Sequence, residues 1–150
     1  MRKGFTLIEL LVVISIIGIL AGLTLTGFSV ARKNARDTQR KSDLGQYRVA
    51  LEAYASANGS KYPLDTYNGN SYSANGIFAT GPIIAAYLPA IINDPVNTTT
   101  YRYFYFGAAD GLTYKLVAGL LETGGYWIIC SSGRAGKSLT ASADPVCDLP

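Results

Sequence analysis

From Phe5 to Ala31 the chain reads FTLIELLVVISIIGILAGLTLTGFSVA, an apolar run in which Glu9 is the one ionisable side chain. As a helix it would span about 40 Å, more than the roughly 30 Å of bilayer hydrocarbon, so it is long enough to cross a membrane. It is also longer than the apolar core of a secretory signal peptide. Beyond Ala31 the pattern changes. Leu44, Tyr47, Leu51 and Tyr54 recur at steps of three and four with Ala50 beside them, which predicts an amphipathic helix. Asn58-Gly59, before Tyr62-Pro63, is the expected stop. One helix from Phe5 to Ala57 would measure about 80 Å, and its exposed apolar half calls for burial by lipid or by copies of itself.

The residues after Gly59 are rich in Gly, Ser, Asn and Tyr and read as a polar loop, with a short helix expected at Pro82 to Leu88. Strand patterns follow at Tyr101 to Phe106, Thr113 to Ala118 and Tyr126 to Ser131. Ala109-Asp110-Gly111 and Gly124-Gly125 supply the turns, so the strands should form an antiparallel meander with its apolar face on Leu44, Tyr47, Leu51 and Tyr54. The expected class is α+β, a long N-terminal helix packed on a small antiparallel sheet.

Composition narrows the chemistry. The 150 residues include no histidine, which removes Ser-His-Asp and Cys-His catalysis and every His-based metal site. No other constellation of catalytic residues stands out, and the chain is read as no enzyme, without cofactor or bound metal. Asp94, Asp110, Glu122, Asp144 and Asp148 offer calcium-type oxygens, but their spacing resembles no ligand loop. Asn58-Gly59-Ser60 and Asn97-Thr98-Thr99 fit the glycosylation triplet, a pattern that also arises by chance.

Charge alone does not orient the apolar helix, because Arg2 and Lys3 precede it while Arg32, Lys33, Arg36, Arg40 and Lys41 follow it. The second cluster reads as a solvated face, a lipid-headgroup contact or a zone of ion pairs between subunits, with Asp37 supporting Arg40 and Lys41 locally. Without Arg2 and Lys3 the balance is 11 basic to 10 acidic side chains, a weak footprint for DNA, which is the least favoured partner.

Glu9 is the anomaly. An acid at the bilayer centre costs on the order of 2.5–3.5 kcal/mol, less near an interface, and the apolar run holds no Lys or Arg to match it. A cut after Gly4 would create a partner, since Phe5 would then carry an α-amino cation four residues from Glu9. In a bundle of parallel helices that amine also meets Glu9 of a neighbour, and losing a buried pair costs roughly 3–5 kcal/mol. Glu9 and Phe5 would then set the axial register of assembly.

Arg2-Lys3-Gly4, then Phe5-Thr6-Leu7-Ile8-Glu9-Leu10 and the long apolar run, resembles the N-terminus of type IV prepilins and type II secretion pseudopilins. The resemblance implies cleavage by a prepilin peptidase between Gly4 and Phe5 and N-methylation of Phe5. It further implies storage in the inner membrane as a single-pass precursor with the leader cytoplasmic, then assembly by an inner-membrane platform into a filament of identical subunits on the cell surface. Lipid is the partner before assembly. The fold it implies is a pilin-like ladle. Many major pilins carry a proline near the position of Thr26; this chain does not, and Gly18, Gly22 and Gly27 are candidates for the same local weakness. Gly18 and Gly22 also form a small-xxx-small pair suited to close helix packing.

On that topology Cys130 and Cys147 lie outside the membrane and are most simply a disulfide, similar to the C-terminal loop of many type IV pilins, with Arg134 and Lys137 as a solvated basic tip. The expected organisation is a leader at 1–4, a membrane and filament-core half of the helix at 5–31, its amphipathic half at 32–58, an αβ-loop region at 59–100, the meander at 101–131 and the disulfide loop at 132–150. The function implied is a pilus subunit supporting adhesion, motility or DNA uptake. A pseudopilin driving secretion is the alternative within the family, and a membrane-anchored minor-pilin adhesin or DNA receptor is the alternative of another class.

Overall fold

The structure is a computed structural model that describes residues 4–64, 72–73, 86–140, 147 and 149, with the side chains of 23–26 and 72–73 left aside. The elements are α1 (Leu7–Ala57), β1 (Tyr72–Ser73), β2 (Tyr103–Gly107), β3 (Tyr114–Ala118), β4 (Tyr126–Cys130) and β5 (Ala135–Ser138). The chain divides into two compact units, Met1–Ala35 and Arg36–Pro150.

The first unit is the apolar half of α1. Its described side chains face outward all round, with Phe5 90% and Ile14 60% exposed. A continuous apolar surface of this kind is stable against lipid or against like helices, and the segment is long and apolar enough to cross a membrane. A Cβ placed on Gly18, Gly22 or Gly27 would meet open space within the chain.

The second unit holds the core. Leu44, Tyr47 and Leu51 are fully buried and Ala50 nearly so. They pack against Tyr103 and Tyr105 of β2, Tyr114, Leu116 and Ala118 of β3 and Ile129 of β4, with Leu88 and Leu121 closing the edges. This is the predicted contact between the amphipathic stripe and the meander. The alternate residues of the same strands, Phe106, Val117, Ile128 and Cys130, form a second cluster with Leu149 on the opposite face. Both faces of β3 are therefore covered, and all five of its residues are buried.

The sheet order is β1-β2-β3-β4-β5, every neighbour antiparallel. The three predicted strands are present with adjusted ends, and two more extend the sheet. β5 lies in the segment expected to be an irregular loop; Ala-Gly-Lys-Ser lacks strand-type alternation, and the tight turn Cys130 N–H to Arg134 O (2.9 Å) sets it against β4. β2 starts at Tyr103 instead of Tyr101 because residues 98–101 close on themselves, with Thr98 N–H donating to Tyr101 O and Tyr101 N–H to Thr98 Oγ1. Of the short helix expected at Pro82 to Leu88, Ala86 and Tyr87 are helical, and 82–85 lie outside the described residues.

α1 stops where predicted. Ser60 N–H reaches back to Ala55 O at 2.8 Å and Gly59 adopts φ +66°, the left-handed C-terminal cap in which glycine is least strained.

Candidate functional site

Gly4, Phe5 and Thr6 are non-helical and exposed, so the Gly4–Phe5 bond lies in accessible chain immediately before α1. Thr6 then starts the helix. Its hydroxyl accepts from Glu9 N–H at 3.3 Å, while Glu9 Oε2 accepts from Thr6 N–H at 2.8 Å and Thr6 Oγ1 at 2.9 Å. This is a reciprocal capping box, and it gives the Glu9 carboxylate two donors on its own chain. Threonine followed three residues later by glutamate ahead of an apolar run is the sequence signature of this contact. Phe5, Ile8, Glu9, Val12 and Val13 line a shallow, mostly apolar groove of about 380 Å³. The structure thus brings Phe5 and Glu9 to one surface.

The basic cluster after the apolar run splits in two. Arg32 and Lys33 are exposed, with the Arg32 guanidinium 5.5 Å from the centre of the Phe28 ring. Arg36 and Arg40 instead form ion pairs within the chain; the Asp37–Arg40 pair is the one expected from the local spacing, while the pairs to Asp94 and Glu122 were not among the roles weighed. Arg40 is fully buried. Its Nε and Nη2 meet Asp94 Oδ2 and Oδ1 at 2.6 and 3.0 Å, its Nη1 meets Asp37 Oδ1 at 2.7 Å, and the Tyr101 ring lies 4.8 Å from its charge centre. Arg36 grips both oxygens of Glu122.

The carboxylates also cap loops. Asp37 accepts from Glu122 N–H, Thr123 N–H and Thr123 Oγ1, and Asp94 accepts from Val96 and Asn97 N–H. Asp37 and Arg40, expected on the polar face, therefore turn inward and fix the loop at 94–97 and the β3–β4 turn to the helix. Burial pushes the Asp37 carboxyl up, but the hydrogen bonds from Thr123, Glu122 and Arg40 outweigh it and hold the group below its ordinary value. Asp94 behaves alike, burial opposed and overcome by Arg40. Asp43 goes the other way: burial raises it, only partly offset by the Tyr103 hydroxyl donating at 2.6 Å, and the Asp94 charge adds to the rise. Burial also pushes the Tyr47 phenol up to about 12.

Asp94 and Glu122, raised earlier as calcium-type oxygens, are directed at arginines, and Asp110 caps Leu112 N–H. Cys130 and Cys147 form a disulfide, their Cα atoms 5.9 Å apart. It brings the tail onto the outer sheet cluster, where Leu149 is buried and its carbonyl accepts from Arg134 at 2.6 Å.

The family profile described as a prokaryotic N-terminal methylation motif matches residues 1–25. A fimbrial protein of Eikenella corrodens is 31% identical over 94% of this chain and 90% of its own length. A type IV wide pilus major component of Thermus thermophilus is 47% identical over 78% of this chain and 72% of its own. The chain belongs to the type IV pilin family. A type IV major pilin of Myxococcus xanthus, 29% identical over 99% of this chain and 69% of its own, extends the likeness. No solved structure gives a significant match. As a pilin, the chain combines the methylation motif, the long N-terminal helix on an antiparallel sheet and the C-terminal disulfide. Pilin membership implies a homopolymeric filament and a prepilin-processing motif, and the apolar helix fits a membrane-anchored precursor and a surface pilus.

Proposed function

We propose that this pilin is cut between Gly4 and Phe5 by a prepilin peptidase, methylated on the new Phe5 amine, and built through its apolar helix into a type IV pilus that supports adhesion, motility or DNA uptake. Its role is structural, not catalytic, and its precursor resides in the inner membrane until an assembly platform extracts it. The segment 5–31 forms the filament core, where Gly18 and Gly22 admit close helix approach.

The observation that carries this reading is the placement of the Glu9 carboxylate in an apolar groove beside Phe5, held by the Thr6 capping box. Both members of the box lie after the cut, so processing leaves the carboxylate positioned while creating a cation four residues away. Glu9 is thereby tolerable in the precursor and paired in the filament. The disulfide favours this pilus reading over a secretion pseudopilin.

The test is direct. Mass spectrometry of assembled material should find N-methyl-Phe5 as the first residue, and an intact Met1 in filaments would end the processing scheme. Glu9→Ala should reduce incorporation into filaments at least tenfold, the loss corresponding to a few kcal/mol of pairing, while the second unit stays folded.

A further inference from the structure

At the end of the second unit away from Arg36, α1 stops beside a pocket of about 530 Å³. Small-molecule sites typically measure roughly 300–1,000 Å³. One wall is formed by Tyr54 and Asn58 at the end of the helix, a second by the chain from Lys61 to Leu64, and a third by Ala109 and Asp110 of the β2–β3 turn. These walls are fixed. Tyr62 N–H donates to Gly111 O at 2.8 Å and the Tyr105 hydroxyl donates to Pro63 O at 2.7 Å, which ties the chain after α1 to β2 and to the turn. A Cβ on Gly107 would come within 2.6 Å of Pro63 O, so glycine permits this close approach. The rings are held as well: Tyr54 meets Tyr87 edge-on at 6.0 Å, and Tyr62 meets Tyr114 at 4.5 Å while its hydroxyl donates to Glu52 Oε2 at 2.9 Å. A ligand finds the aromatic walls already ordered, which lowers the cost of binding.

The charges at the rim are single and opposite. Lys61 and Asp110 both line the pocket and are exposed, and neither forms an ion pair among the described residues. Asp110 Oδ1 accepts from Leu112 N–H at 2.9 Å, and Asn58 Nδ2 gives one hydrogen to Tyr54 O at 2.8 Å. The Tyr62 phenol also feels Glu52 and Arg48, again of opposite sign. The surroundings therefore carry no net charge, which disfavours a polyanion and suits a neutral ligand that holds both signs.

We propose that this pocket binds a choline phosphodiester, the headgroup of a phosphatidylcholine-type lipid. The trimethylammonium lies against Tyr54 and Tyr62 with Asp110 as its counter-charge, and the phosphate meets Lys61 and the second Asn58 amide hydrogen. A quaternary ammonium has no N–H to satisfy and is attracted to aromatic rings, so the two tyrosines with Pro63, Leu64 and Ala109 around them suffice to hold it. A primary ammonium has three donors, more than one carboxylate takes up. A phosphodiester brings one negative charge, matching the single Lys61, whereas the monoester of free phosphocholine brings more near neutral pH. The site lies wholly within the second unit and rests on no reading of the N-terminus.

The experiment titrates glycerophosphocholine into the full-length chain by calorimetry, in a maltoside detergent that itself carries no choline. Saturable binding is expected. Tyr54→Leu, Asp110→Asn and Lys61→Gln should each weaken it about fivefold, whereas Tyr54→Phe, which keeps the ring, should bind as the wild type does. Asp110→Asn retains an acceptor for Leu112 N–H, so its loss reports the charge. Glycerophosphoethanolamine, the corresponding diester with a primary ammonium, should bind about tenfold more weakly, and the phosphocholine monoester more weakly than the diester. Circular dichroism checks that each variant is folded, and Lys61→Gln at an exposed position carries the test should Tyr54→Leu fail to fold. The proposal is overturned by heats that do not saturate, by equal affinity for the ethanolamine diester, or by an equal loss in Lys137→Gln, remote from the pocket. Tighter binding of the monoester also overturns it, assigning free phosphocholine instead of a lipid headgroup.

Discussion

Arg40 shows how a single side chain organises this pilin. Its guanidinium is fully buried between Asp94 and Asp37, and each carboxylate also caps a loop, so one residue links helix, loop and turn. Removing one partner leaves a charge without compensation. Asp94→Ala should lower unfolding free energy by about 3–5 kcal/mol, measured by denaturant titration of the folded chain. The same network fixes the response to acid. Asp37 and Asp94 have folded values depressed below the ordinary 3.8, so the unfolded chain takes up protons first. Their stabilisation is complete above the ordinary carboxyl range and is lost as pH falls through the depressed values. Asp43, raised by burial, has the opposite sign and loses its contribution as pH rises through its folded value. Unfolding midpoints measured from pH 5 downward should therefore fall, and fall less steeply in Asp94→Ala. At this scale the sequence was legible in part. The local spacing of Asp37 and Arg40 was visible, but Asp94 and Glu122 lie 54 and 82 residues from Arg40, and nothing short of the fold shows that they converge.

Among the elements, α1 and the three central strands declared themselves because each repeats one period long enough to be read. Leu44, Tyr47 and Leu51 mark a helical stripe, and Tyr114, Leu116 and Ala118 mark one face of a strand. β5 did not, since its residues contribute backbone pairing more than apolar burial. The two-residue β1 is shorter than any period. The disulfide also acts at this scale by holding Cys147 and Leu149 to the outer face of β4. Cys147→Ser should cost on the order of 3 kcal/mol in the chain-entropy account, read as a lower urea midpoint, and should increase binding of a hydrophobic dye as Phe106, Val117 and Ile128 lose their cover.

The molecule as a whole separates two solvation problems. Every described residue of the core clusters lies after Arg36, whereas the described apolar side chains before it are exposed. A chain beginning at Arg36 should therefore be soluble without detergent and unfold cooperatively, with a thermal midpoint within a few degrees of the full chain in detergent, checked by circular dichroism. Aggregation of that fragment under these conditions would show that the first unit supports the second. The broad division was evident from hydropathy alone, because a run with one charge in 27 residues and a stripe repeating every three or four are different patterns. The burial of Arg40 and Lys115 as well as Asp37, Asp43 and Asp94 in the second unit was not, since a sum over the sequence carries no information on depth.

Leu149 closes the outer sheet cluster two residues beyond the disulfide that anchors it. That face of the sheet is therefore sealed only after Cys130 and Cys147 have met an oxidant. A subunit held in a reducing compartment would carry unpaired thiols and an uncovered greasy surface, the two marks by which quality-control proteases and chaperones recognise an unfinished subunit.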